Sequence, residues 1–190
     1  MKIFLLGISG PSGAGKSSVT KLVEAENLSV LRISLDNYFN DVKNFPKVDG
    51  QPNWDIPGNL NFELLQENLR DLKDGKNTEI PLYNKATYER TYKIVKPKKI
   101  ILVEGFLLFL DERVRNLIDR KIYIEVSDQI QQERRSKRET PERYRYIREV
   151  VIPNYKIYGL PTKKYADVVL NGGKTIEELK EEIKIEISLT

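Results

Sequence analysis

An apolar run from Lys2 to Ile8 leads directly into Gly10-Pro11-Ser12-Gly13-Ala14-Gly15-Lys16-Ser17, and a helical pattern, Val19-x-x-Leu22-Val23, follows. Strand, glycine-rich loop and helix in that order are what G-x-x-x-x-G-K-[ST] requires to act as a phosphate-binding P-loop. The glycines let the backbone curl until successive N–H groups point inward at phosphate oxygens. The helix N-terminus adds its partial positive charge. In this reading Lys16 reaches the β- and γ-phosphates of ATP and Ser17 offers its hydroxyl to Mg²⁺. Gly10, Ser12, Gly13, Ala14, Gly15 and Ser18 complete the nucleotide-binding set.

The rest of the chain repeats the alternation. Lys2–Ile8, Val30–Ser34, Ile100–Glu104, Lys121–Val126 and Asp167–Leu170 read as buried strands, uniform enough for a parallel sheet covered on both faces. Helical patterns lie between them: Lys16–Ala25, Asn61–Asp74 with Gly75 as its stop, Asp111–Ile118, Asp128–Glu139 and Thr175–Ile187. In the last, Thr175 and Glu178 form a capping-box pair. The expected class is α/β, a five-stranded parallel sheet with helices on both faces. At 190 residues and 39% hydrophobic, the chain suits one domain with its own core. Residues 36–98 make a long excursion between the second and third strands. It is rich in Asn, Asp, Pro and aromatics, and it includes a strand pair, Glu79–Tyr83 with Thr91–Val95. Excursions of this size carry function or a subunit interface.

Composition removes whole classes of chemistry. There is no cysteine and no histidine. A general base must then be a carboxylate, Lys or Tyr, and a metal must be held by oxygen, which favours Mg²⁺ over Zn²⁺. The net charge of +4 comes from interspersed signs and does not argue for nucleic acid. No apolar stretch nears the roughly 18 residues of a membrane span. The expectation is a cytoplasmic protein with a small-molecule partner.

Three further groups carry chemistry. Asp36 follows the second strand, where ligands gather in parallel sheets, and can take a proton from an attacking hydroxyl. A turn-forming Asx residue has the same appearance. Glu104 ends the apolar third strand in the Walker-B manner, as a residue of the Mg²⁺ shell, and a buried carboxylate would be costly without such a cation. Arg134, Arg135, Lys137, Arg138, Arg143, Arg145 and Arg148 form a basic run that reads either as an arginine lid, about residues 131–150, or as a solvated face.

Taken together, the chain resembles the uridine kinase group, within the set that includes phosphoribulokinase, pantothenate kinase and nicotinamide riboside kinase. The resemblance rests on the P-loop, Asp36-Asn37-Tyr38-Phe39, Asn53-Trp54-Asp55-Ile56-Pro57, Ile80-Pro81-Leu82-Tyr83, Glu104-Gly105-Phe106-Leu107, Arg134-Arg135-x-x-Arg138 and Leu160-Pro161-Thr162-Lys163-Lys164-Tyr165-Ala166-Asp167. It implies a single P-loop kinase domain over residues 1–190, with strand order 2-3-1-4-5. It makes Asp36 the base for a nucleoside 5′-hydroxyl and, with Ser17 and Glu104, a member of the metal set. Lys16, Arg134 and Arg138 would stabilise the transferring phosphoryl group. Asp55 would hold ribose hydroxyls, and Tyr38, Tyr83, Tyr88, Arg90 and Arg143 would complete the acceptor site. The departures all fall in base recognition. Asn84-Lys85 stands where the group has Asp-Phe, Tyr88 stands at the position of a histidine, and the segment after Arg145 is short and lacks a matching glutamine. Other acceptors therefore remain open, namely nicotinamide riboside, a phosphorylated sugar or pantothenate, as does a regulatory P-loop protein without kinase activity.

Overall fold

Side chains alternate along a strand, and in the central strands both halves of the alternation are apolar. Leu5, Ile33, Ile101 and Val103 pack on one side with Leu65, Leu69, Leu72, Phe109 and Val114. Leu6, Ile8, Ile100 and Leu102 pack on the other with Val19, Val23, Leu179 and Ile183. Such strands cannot face water on either side, so helices must cover both. The computed structural model of the protein describes residues 2–137 and 140–189.

In chain order the longer strands are β1 (Phe4–Ser9), β2 (Val30–Ser34), β3 (Thr78–Asn84), β4 (Glu89–Val95), β5 (Ile100–Gly105), β6 (Arg120–Glu125) and β7 (Val168–Asn171). The longer helices are α1 (Lys16–Glu26), α2 (Phe62–Lys73), α3 (Glu112–Leu117), α4 (Asp128–Ser136) and α5 (Ile176–Ser188). A five-stranded sheet runs β2-β5-β1-β6-β7 with every pairing parallel. Counting only these five strands, that is the expected order 2-3-1-4-5. The expected strand and helix ends shift by one or two residues, except α4, which closes at Ser136 rather than Glu139.

Local chemistry explains most ends. The Asn61 side chain accepts from Leu64 N at 2.9 Å and starts α2, whose Leu65, Leu69 and Leu72 are fully buried. Each such leucine contributes about 2 kcal/mol by leaving water. The capping box at Thr175 and Glu178 is present, with both reciprocal bonds. α5 lies against α1, where Lys180 and Lys184 both donate to Glu26, at 2.8 and 2.6 Å. β2 is an edge strand, and its exposed side is covered: Glu24 of α1 accepts from Arg32 N at 2.9 Å, and Lys98 donates to Val30 O at 2.9 Å. Both contacts blunt an edge that would otherwise pair with another chain.

Residues 141–165 form a nearly continuous helical rod that the sequence pattern does not announce. It passes from a 3₁₀ turn (Pro141–Arg143) through short α turns into two wide π turns, Ile147–Val151 and Tyr155–Gly159, and ends in a 3₁₀ stretch, Leu160–Tyr165. Pro153 lies inside it. A proline there lacks its N–H and crowds the carbonyl four residues back, and the wider turns absorb both defects. Ile147, Val151 and Tyr155 are buried.

Candidate active site

The P-loop is shaped by two glycines whose backbone a side chain would not suit. At Gly10 the backbone φ is +146° and an added Cβ would lie 2.2 Å from the Ile124 carbonyl oxygen. At Gly15, which precedes α1, φ is +90°. The loop thus turns α1's N-terminus toward the sheet's C-terminal edge. Lys16 folds over it and donates to Gly10 O at 2.7 Å and Pro11 O at 2.8 Å. Burial pulls the Lys16 ammonium down to about 8, against the opposing pull of Glu104 and Asp36. It is a buried cation held by neutral carbonyls, a suitable donor for an incoming phosphate.

Register carries the acids to the same edge. Glu104 stands opposite Ser34 of β2 and Ile8 of β1. It is 2% exposed. Its Oε1 accepts from Ser34 Oγ at 2.7 Å and from Arg32 Nη2 at 2.6 Å. Ser17 Oγ lies 3.1 and 3.2 Å from its two carboxylate oxygens. A hydroxyl and a carboxylate in contact form an oxygen-only donor set of the kind Mg²⁺ takes while keeping waters and phosphate oxygens. Among the described residues no group of three or more His, Cys, Asp or Glu side chains is placed to hold a metal ion. The set therefore fits Mg²⁺ held partly by phosphate and does not form an all-protein cage.

Asp36 lies in the 3₁₀ turn Leu35–Tyr38 beyond β2. Its Oδ2 accepts from Lys85 Nζ at 2.8 Å. Burial works against its charge, but Lys85, Lys16 and Arg32 outweigh it and hold the carboxyl below the ordinary aspartate value. Lys85 comes from the tip of the β3–β4 hairpin, and its ammonium lies 4.6 Å above the Phe39 ring. The hairpin is anchored beside Asp36, because Asn37 Oδ1 accepts from Tyr83 N at 3.2 Å.

An aromatic wall continues from there. Trp54 meets Phe39 edge-on at 5.0 Å and lies near-parallel to Tyr88 at 6.0 Å. Tyr88 adopts a left-handed φ of +61°, costly for a bulky residue, and this conformation closes the tip and turns its ring to Trp54. Asp55 follows Trp54. Its Oδ2 accepts from Tyr146 OH at 3.0 Å, and the same hydroxyl accepts from Trp54 N at 3.0 Å. Burial pushes the Asp55 carboxyl up, against Arg135, the Tyr146 hydrogen bond and Lys85.

These groups open on one cleft of about 360 Å³, lined among others by Ser12, Lys16, Ser17, Asp36, Asp55, Glu104 and Arg143. Not every expected residue reaches it. Tyr38 is buried in the core, its hydroxyl bonded to Asn68 Oδ1 at 2.9 Å. Tyr83 and Arg90 line a separate hollow beside the hairpin, which shares only the Tyr88 ring with the cleft. Gly10 and Ala14 shape the loop from behind. Arg134 ties the loop to the strand β7 exit, donating to Gly13 O at 3.2 Å and Gly172 O at 2.8 Å. Its neighbour Arg135 takes the place in the cleft, bonded to Ser12 Oγ at 2.9 Å. Arg138 lies outside the described residues. Four contributors escape a reading of the sequence. Arg32 left one signal, a charge inside an apolar strand. Lys85 was visible only as a departure from the group's Asp-Phe. Phe106 gave none as a wall residue. Tyr146 gave none because its helix was not foreseen.

With that geometry established, known proteins supply the family. Residues 5–177 match the model of the Phosphoribulokinase / Uridine kinase family. The chain belongs to that family. A uridine kinase of Borrelia garinii subsp. bavariensis is 35% identical over 178 residues, covering 89% of this chain and 86% of its own length. A uridine kinase of Staphylococcus aureus is 35% identical over 181 residues, covering 89% and 87%. The solved phosphoribulokinase from Rhodobacter spheroides superposes with a TM-score of 0.65 at 13% identity, covering 88% of this chain and 69% of its own, which speaks for the fold alone. The chain is an enzyme of this P-loop kinase family, and among the described residues no helix is long and apolar enough to cross a membrane.

Proposed function

We propose that this family member transfers the γ-phosphoryl group of ATP to the 5′-hydroxyl of a nucleoside of the uridine or cytidine type. One observation carries the reading: Asp36 opens on the same cleft as Lys16, Ser17 and Glu104, with Asp55 and the aromatic wall on its far side. The uridine kinases that resemble the chain over most of its length support the same acceptor class. We read residues 1–190 as a single kinase domain, with residues 36–98 serving the acceptor and about 131–150 closing over the nucleotide.

Asp36 takes the hydroxyl proton as the acceptor oxygen bonds to phosphorus and the bond to the departing ADP breaks. Lys16 and the loop amides hold the phosphate oxygens, and Arg135 faces them from α4. Ser17 and Glu104 would hold Mg²⁺, which supplies neutralisation of phosphate charge. Trp54 and Tyr88 offer ring faces to a planar base, and Asp55 accepts from ribose hydroxyls. The gain lies in positioning and charge, the two things phosphoryl transfer needs most.

A second reading follows from Lys85. An ammonium beside the base suits an acceptor carrying an acidic group, such as a phosphorylated sugar or pantothenate. A coupled ADP-release screen over uridine, cytidine, adenosine, nicotinamide riboside, ribulose 5-phosphate and pantothenate separates the two. The expected result is fastest release with uridine or cytidine. Fastest release with an acidic acceptor selects the second reading, and no acceptor-dependent release across the panel overturns both.

A further inference from the structure

Glu104 is a carboxylate removed from water, and such a group needs a cation. The chain provides one of its own. Arg32 stands opposite Leu102 in the β2–β5 register, two residues before the Ser34–Glu104 pair. Residues two apart share a face of the sheet, so Arg32, Ser34 and Glu104 all point toward α1. The guanidinium is fixed at two points. Nη2 donates to Glu104 Oε1 at 2.6 Å, and Nε donates to Thr20 Oγ1 at 2.9 Å on the helix that carries Ser17. The side chains are 16% and 3% exposed. Ser34 donates to the same Oε1 and Ser17 faces both carboxylate oxygens. Glu104 is thus neutralised and bonded without any metal.

We infer that Arg32 is a built-in counter-ion for Glu104, a positioning residue that keeps free Mg²⁺ from binding and makes metal uptake conditional on nucleotide phosphates. This rests on the kinase reading above, in which Ser17 and Glu104 hold the metal. Without phosphates, a divalent ion held by Ser17 and Glu104 would share the Glu104 carboxylate with the guanidinium, and the like charges would repel. The phosphate chain adds negative charge on the other side of the metal and reverses that balance. Arg32 meanwhile holds the carboxylate in one orientation, so the metal arriving with ATP meets an oriented acid.

The test measures Mg²⁺ binding apart from catalysis. Arg32→Gln places an amide N–H near the position of Nε, within reach of Thr20, and removes both the charge and the contact to Glu104. MgCl₂ alone is titrated calorimetrically and by thermal shift, then repeated with a β,γ-methylene ATP analogue present. In the parent protein, MgCl₂ alone is expected to give little stabilisation, and strong stabilisation is expected with the analogue. Arg32→Gln is expected to be less stable without metal and to bind free Mg²⁺ about tenfold or more tightly than the parent, with a matching rise in melting temperature. Equal free-Mg²⁺ affinity in the two proteins overturns the inference. If the parent does not bind the analogue with Mg²⁺, the kinase reading itself fails. If Arg32→Gln does not fold, the double variant Arg32→Gln/Glu104→Gln decides: a folded double variant that ignores MgCl₂ supports the ion pair. An unfolded one assigns Arg32 to packing and overturns the inference.

Discussion

The two ends of the cleft are built by different means. At the phosphate end most contacts come from backbone and side chains of one short stretch, Gly10 to Ser18, joined by Glu104 from β5 and Arg135 from α4. At the acceptor end they come from side chains on four distant elements: the turn after β2, the segment with Trp54 and Asp55, the hairpin tip at Lys85 and Tyr88, and Tyr146 on the helical rod. Phosphate is one shape in every nucleotide, so a fixed backbone cradle serves it. Acceptors differ, and loops can be exchanged without disturbing the sheet. The contrast makes variants at the acceptor end act on the second substrate and leave ATP binding alone.

The largest effect is expected at the junction of the two ends. Asp36→Asn should lower kcat by about 10²- to 10⁴-fold while ATP affinity, followed by calorimetry, stays within a few-fold of the parent. Retained turnover removes Asp36 as the base. Next comes Trp54→Ala, which strips a ring face from the acceptor wall. Its acceptor KM should rise by about 10- to 100-fold, as loss of a stacked base contact of roughly 1–3 kcal/mol requires. An equal rise in the KM for ATP would erase the division between the ends. Tyr146→Phe removes the donor to Asp55 and the acceptor of Trp54 N, and steady-state kinetics should show about a tenfold rise in acceptor KM with kcat little changed.

The smallest effect belongs to the phosphate end. Lys16 has an ordinary value of 10.5 in the unfolded chain and about 8 when folded. Between those values the unfolded state holds more protons, so Lys16 makes stability rise with pH from about 8 to 10.5 and imposes its cost below that window. A bound triphosphate favours the charged ammonium and reverses the depression. ATP binding at pH 8.5 to 9 should therefore take up a fraction of a proton, seen as a calorimetric heat that varies with buffer ionisation enthalpy. A buffer-independent heat would remove Lys16 from the phosphate contacts.

The sheet was legible because β1, β2, β5 and β6 each carry a run of aliphatic or aromatic residues with few interruptions and each ends at a polar or glycine signal. The P-loop was legible because its glycines answer to backbone geometry within eight residues. The helical rod was not. Pro141, Pro153, Gly159 and Pro161 break the ordinary helical pattern, and the π turns that rescue it depend on burial of Ile147, Val151 and Tyr155 against the rest of the molecule. Tyr38 illustrates the opposite error: beside Asp36 in sequence, it points into the core, since neighbours in a 3₁₀ turn face different directions. Lys85 could be seen as basic, but its contact with Asp36 spans 49 positions and no local spacing encodes it. Glu104 was expected to need a metal for its charge, and Arg32 from the neighbouring strand supplies that charge instead.

β1 is the first strand made, yet its two neighbours, β5 and β6, begin at Ile100 and Arg120. On a ribosome adding about 5 to 20 residues each second, that strand waits roughly 5 to 20 seconds for its first partner. The carbonyl of Ile124 that presses on Gly10 arrives later still, and α5, which clasps α1 through Glu26, comes last. A nascent chain therefore cannot capture nucleotide when its glycine loop emerges. It gains that ability only once β6 and α5 have been made, and until then its apolar strand has no partner.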